Sequence, residues 1–258
     1  MRHWPRIATL LSLAVVLIYL CTIYGYRLDL LDLGAMFGFV RMLIIPLAVA
    51  AVLALAATLA LLMRRAWLAS IAALFVAAAA AGFAYLPIWM RGEASKVPPI
   101  HDITTDTQDP PEFVATAALR KPDENPAAYD TAQTEQQREA YPELKSLVMP
   151  KRIDEAFAIA MDAVKAEGLD IVDINPREGR IEATETVPLF GFKDDVVIRL
   201  RNAHNRATVI DIRSKSRVGR SDLGFNARRI ESLLERMEEE GGKIEMTSAP
   251  QPVMQEPI

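Results

Sequence analysis

KDDVVIRLRNAHNRATVIDIRSKSR, residues 193–217, decides the fold of the water-soluble part of this chain. Val196, Ile198 and Leu200 alternate with Val197, Arg199 and Arg201, and Ile210 and Ile212 alternate with Asp211 and Arg213. Successive side chains of a strand point to opposite faces, so each segment has one apolar face and one charged face. The polar run 202–206 between them reads as a turn, which makes them consecutive antiparallel strands. Two more strands precede them, Leu169–Ile174 and Arg180–Val187, joined by the turn Asn175-Pro176-Arg177-Glu178-Gly179. Ahead of these, Ile153, Phe157, Ala160, Met161 and Val164 recur at helical spacing and stop at Gly168. A second helix follows the strands. It starts near Ser221 or Asp222, both good N-caps, and carries the stripe Leu223, Ala227, Ile230, Leu234 and Met237. The pattern predicts an α+β, two-layer domain over 151–240: a four-stranded antiparallel meander with two helices on one face. The opposite face carries Arg199, Arg201, Asp211, Arg213, Lys215 and Arg217, and it meets water, another part of the chain or a partner.

Residues 92–150 come before this domain and are rich in proline and polar residues, as in Val97-Pro98-Pro99-Ile100-His101-Asp102 and Asp109-Pro110-Pro111. Proline rules out regular helix or central strand here. Ile100, Ile103, Phe113, Val114, Tyr129, Tyr141, Leu144 and Leu147 supply apolar anchors, so the segment reads as an extended arm packed over the domain. The tail 241–258 is expected to be disordered.

The first 91 residues are different in kind. Three apolar runs, Ile7–Tyr26, Leu43–Met63 and Ala66–Leu86, contain no charged side chain. Each is long enough to cross a hydrocarbon core of about 30 Å as a helix. They predict a three-span anchor over 1–91, with Trp4, Trp67, Trp89, Tyr24 and Tyr85 near the interfaces. The spans hold no ionisable group, so they offer no proton relay or ion path and read as an anchor rather than a transporter. Arg2, Arg6, Arg64 and Arg65 balance Arg27, Arg41, Arg91 and Lys96 on the other side. The dominance of the first helix then favours an N-inside topology, with the soluble domain in the periplasm of a bacterial inner membrane. Small residues four apart, Ala50/Ala54 and Ala77/Ala81, would let these helices pack closely within a bundle or a homo-oligomer.

Charge narrows the partners. Residues 92–258 carry 22 Lys and Arg against 31 Asp and Glu, so the domain does not attract nucleic acid. Cys21, the only cysteine, lies in an apolar run, which excludes a disulfide within the chain or a cysteine-based metal site. Against this acidic background Arg213, Lys215, Arg217 and Arg220 form a basic island running into a helix N-terminus, a setting suited to an anion or lipid headgroup. The same cations could instead hold the arm through its carboxylates Asp102, Asp106 and Asp109. His101, Asp102, Asp194 and Asp195 are the weak catalytic candidates. With only three histidines, no nucleophile elbow and no phosphate loop, neither a cofactor nor a metal is expected.

The segments 98–106, Tyr141-Pro142 with Leu144, Arg180–Thr184, Gly191–Val196 and Arg213–Gly224 together resemble the domain of unknown function 1499 family over about residues 97–240. The three spans resemble the N-terminal extension of some bacterial members. The resemblance implies a membrane-associated protein and transfers no catalytic role; it does imply that arm and basic strand belong to one domain. The expectation is a non-enzymatic envelope module that binds or scaffolds, with membrane lipids and an anionic ligand or an envelope protein as partners. Two alternatives stand beside it: a hydrolase acting on an envelope lipid or phosphoester, and an assembly factor docking its partner on the exposed sheet face.

Overall fold

The computed structural model describes residues 3–203 and 206–244; the His204 turn and the tail beyond 244 lie outside the described residues. The chain divides into two compact units, one reaching Ser95 and including Pro188–Gly191, the other comprising Lys96–Val187 and the residues from Phe192 onward.

The first unit is three helices, α1 (Trp4–Arg27), α2 (Leu33–Met63) and α3 (Trp67–Ala94), each long and apolar enough to cross a membrane. All three run past the apolar stretches, α1 at both ends, α2 at its N-terminal end and α3 at its C-terminal end. The Asp32 carboxylate accepts from the Ala35 N–H at 2.7 Å and starts α2. The bundle interior mixes small, aliphatic and aromatic side chains: Ala50, Ala54 and Ala57 of α2 and Ala73, Ala77 and Ala80 of α3 are buried with Ile23, Met36 and Leu47, and the Tyr19 and Phe83 rings stack at 4.8 Å. Ala81 is exposed, so the inward spacing in α3 is 73, 77 and 80. The Ser12 hydroxyl donates to the Ala50 carbonyl of α2 at 2.9 Å, a satisfied polar crossing between helices.

The second unit is α+β. In order it contains β1 (Asp102–Thr104), α4 (Thr134–Ala140), β2 (Leu147–Met149), α5 (Ile153–Ala166), β3 (Asp170–Asn175), β4 (Arg180–Thr186), β5 (Lys193–Asn202), β6 (Thr208–Ser216) and α6 (Phe225–Gly241). The meander β3-β4-β5-β6 is antiparallel throughout, as its alternation predicts. The arm, read as free of regular helix, carries α4 over a stretch without proline, and the sheet has six strands rather than four. β1 and β2, both from the arm, pair antiparallel with β6, β1 against Arg213–Lys215 and β2 against Thr208–Ile210. Three-residue strands show no readable period, and their pairing covers the β6 backbone that a four-stranded meander would leave open.

α5 and α6 cover one face. Ile181, Val196, Ile198, Leu200, Ile210 and Ile212 meet Ala156, Ala160 and Val164 of α5 and Ala227, Ile230, Leu233 and Met237 of α6. Leu233, not Leu234, is the fully buried member of the α6 stripe, and Ile100, Ile103, Leu144 and Leu147 bring the arm into the same core. α6 begins at Phe225, later than the Ser221 or Asp222 expected, after Gly224 at φ 77°. Asp222 still does the capping work: its carboxylate accepts from the N–H groups of Gly224 and Asn226, each at 2.8 Å.

The β3–β4 turn closes on Gly179 at φ +63°, where an added Cβ would overlap the Leu200 carbonyl oxygen of β5. Gly179→Ala therefore combines a left-handed backbone with a backbone clash, and we expect it to cost at least about 2 kcal/mol. Thermal melting of the variant checks this; a melting temperature within 1 °C of wild type would contradict it.

Candidate functional site

The sheet face opposite the helices is a lattice of charge. Register builds it in rows: Asp102, Lys215, Asp195 and Thr184 stand side by side across β1, β6, β5 and β4. The next row is Thr104, Arg213, Val197 and Glu182, and the one after holds Asp211, Arg199 and Arg180. Opposite charges on neighbouring strands of one face attract, and here water is excluded as well. Asp102, Asp195, Asp211 and Glu182 are fully buried, and Arg213, Lys215 and Arg217 nearly so.

Each carboxylate is saturated. Arg213 donates from Nε and Nη2 to the two Asp102 oxygens, both at 2.8 Å, and the Lys215 ammonium reaches Asp102 at 2.9 Å. Arg217 donates to Asp195 from Nε and Nη2, Arg120 joins from the arm at 2.8 Å, and the Thr184 hydroxyl completes the set at 3.0 Å. Glu182 accepts from three successive arm N–H groups, Val114, Ala115 and Thr116, from the Thr116 hydroxyl, and from Arg180. At the open end of the sheet Arg199 and Arg201 bridge Asp211 to Asp106 and Asp109.

Arm carbonyls use the donors that remain. Pro111 and Ala127 accept from Arg213, Ala128 from Lys215, Leu119 from Arg217 and Asn125 from Arg120. The Arg213 guanidinium also lies against the Phe113 and Tyr129 rings, 4.7 and 5.3 Å from their centroids. Burial lowers the pKa of Lys215; Asp102 opposes the shift, while Arg213 and Arg120 add to it. Burial and then the Lys215 charge lower that of His101, whose Nδ1 is buried with no hydrogen-bond partner among the described residues.

This geometry corrects two expectations. Asp194 and Asp195 point to opposite faces, as neighbours in a strand must; Asp194 pairs with Arg229 of α6 at 2.9 Å, and Arg229 also holds Glu185. His101, Asp102, Asp194 and Asp195 therefore do not converge in a cleft, and the three carboxylates are occupied by arginine or lysine. Of the basic residues read as an anion surface, Arg213, Lys215 and Arg217 are buried against carboxylates and Arg220 alone is exposed. The sheet face offered to a docking partner is covered by residues 102–128. Among the described residues no group of three or more His, Cys, Asp or Glu could hold a metal ion.

Sequence reading missed Glu182, Arg120 and the second polar cluster of Arg229, Asn226, Ser214 and Glu185. Glu182 carried a signal, being a carboxylate between Ile181 and Ala183 in a strand buried on both faces. Arg120 carried none.

The molecule thus has three candidate membrane-spanning helices and an α+β domain whose charged sheet face is closed by its own N-terminal arm. The chain belongs to the family described as protein of unknown function DUF1499, whose model matches residues 102–237, from β1 into α6. No curated protein matches the chain.

Proposed function

We propose that this protein is a membrane-anchored, non-enzymatic module that binds or scaffolds at the bacterial envelope, with its domain on the periplasmic side of the inner membrane. One observation carries the reading: the carboxylates best suited to acid–base work, Asp102 and Asp195, each hold two buried cations and have no open side from which to reach a substrate. The spans support it too, since their apolar runs lack the ionisable groups that transport requires. The arm carboxylates Asp102, Asp106 and Asp109 act as a clamp that keeps the arm on the sheet.

The test uses the full chain released in non-ionic detergent and examined by native mass spectrometry, before and after incubation with dihexanoyl phosphatidic acid. We expect the added lipid, or a co-purified lipid or anion, to be recovered on the protein with its mass unchanged. Release of hexanoate or phosphate at a rate abolished by Asp102→Asn or Asp195→Asn would overturn the reading.

A further inference from the structure

With the basic strand consumed by its own arm, the anion site must be sought elsewhere. A cleft of about 320 Å³ opens on the arm, between the segment after β1 and the connection from α4 to β2, lined by Thr105, Thr107, Arg138, Tyr141, Leu144 and Lys145 among others. Its size is at the lower end of small-ligand sites. Arg138 is held by the Thr107 hydroxyl, which accepts from its Nε at 3.0 Å and its Nη2 at 2.8 Å. Among the described residues neither Arg138 nor Lys145 has a carboxylate partner. Lys151, Arg177, Lys193 and Arg220 also lack one, but Arg138 and Lys145 stand together on the lining of one cleft.

The hydroxyls point to the same chemistry. Thr107 receives both Arg138 donors on its oxygen, so its own proton remains to be given. Thr105, 8% exposed, accepts from the Ile212 N–H at 2.9 Å and likewise keeps a proton to donate. The one amide that could act as an acceptor, Gln137, is spent on both backbone groups of Thr104. The cleft therefore offers donors and positive charge over an apolar floor of Leu144 and the Tyr141 ring.

We propose that this cleft binds a phosphate group, with Arg138 and Lys145 as the charge partners and the two threonine hydroxyls as orienting donors. The proposal rests on the binding reading above and names its ligand class; the group is either inorganic phosphate or the phosphate of a lipid headgroup whose glycerol lies on the apolar floor.

Isothermal titration of the full chain in dodecyl maltoside, with inorganic phosphate and with dihexanoyl phosphatidic acid, tests it. Wild type should bind at least one probe saturably, R138Q/K145Q should bind it at least tenfold more weakly, and R177Q, a charge change at the β3–β4 turn, should bind within twofold of wild type. A tenfold preference for the lipid identifies a headgroup site, and equal affinities identify a phosphate site; both support the proposal. K145Q removes an exposed side chain that makes no hydrogen bond or ion pair among the described residues, and alone should weaken binding at least threefold should the double variant melt early. No binding of either probe to wild type, or unchanged binding by K145Q and the double variant, would overturn the site while leaving the non-enzymatic reading intact. Breakdown of the lipid probe would instead overturn that reading.

Discussion

Asp195→Ala is expected to lower the melting temperature of the α+β domain by roughly 6–20 °C, more than any surface substitution would. The carboxylate is fully buried and meets Arg217 and Arg120, whose side chains are themselves only 5% exposed. Removing it leaves two guanidinium groups in a low-dielectric layer with carbonyls but no counter-charge. Breaking a buried pair in this way costs about 3–5 kcal/mol, against a total stability on the order of 5–15 kcal/mol. Asp109→Ala is the control. Its side chain is 69% exposed, although it also touches two arginines, so the loss should stay within about 1 kcal/mol. Hydrogen exchange read by mass spectrometry reports the α+β domain separately from the three N-terminal helices. Asp195→Ala should open amides in β4, β5, β6 and residues 117–128 together. Protection equal to wild type in those segments would mean that the lattice does not hold the arm.

The lattice has a second consequence, for register. The apolar face of β5 and β6 fixes which residues point toward α5 and α6, but a slip of two residues would keep that face and cost little there. Charge resists it. Such a slip of β6 along β5 takes Asp211 out of its row with Arg199 and brings Val209 or Arg213 opposite that arginine, so an attractive pair is lost or replaced by a repulsive one. The charged face thus selects among pairings that the apolar face leaves nearly equal, which is the specificity role that buried ion pairs can play even where their net stabilisation is small.

Much of this fold could be read from residues. Alternation at 196–201 and 209–213 placed the central strands to within a residue or two, because one face is apolar and the period of two is unbroken. The helices followed from their stripes, with the error at Leu234 arising because the stripe rotates slightly along α6. β1 and β2 could not be read: they are three residues long, and tertiary pairing with the β6 edge, not local pattern, makes them strands. The candidate site was half legible. Arg213, Lys215 and Arg217 on one face came from alternation, and an acidic arm near them came from composition. Their burial did not, since nothing local says that a charged strand face will be covered rather than solvated. The cleft at Arg138 and Lys145 had no local signal either, because it depends on which cations the fold leaves without a carboxylate.

Glu182→Gln should destabilise the domain by about 2–3 kcal/mol at pH 7, and this difference should shrink as the solution is acidified. Burial pushes the Glu182 carboxyl upward, but the hydrogen bonds from Thr116, Ala115 and Val114 act against it and hold its pKa below the ordinary value of 4.5. Between the lowered native pKa and that ordinary value the unfolded chain binds the proton more readily than the native one, so stability rises with pH across the window. The contribution is fully present above about 4.5 and is lost as pH falls through the lower native pKa. Glutamine has no such titration. Its amide also presents two donors where three successive N–H groups and a hydroxyl already donate, leaving at least one buried N–H without an acceptor. Melting temperatures of wild type and Glu182→Gln measured from pH 7 to pH 3 separate this residue from the others, because every other carboxylate titrates in both proteins and cancels in the difference. A gap that stays constant across that range would show that Glu182 acts by shape alone and that its charge does not hold residues 114–116 against β4.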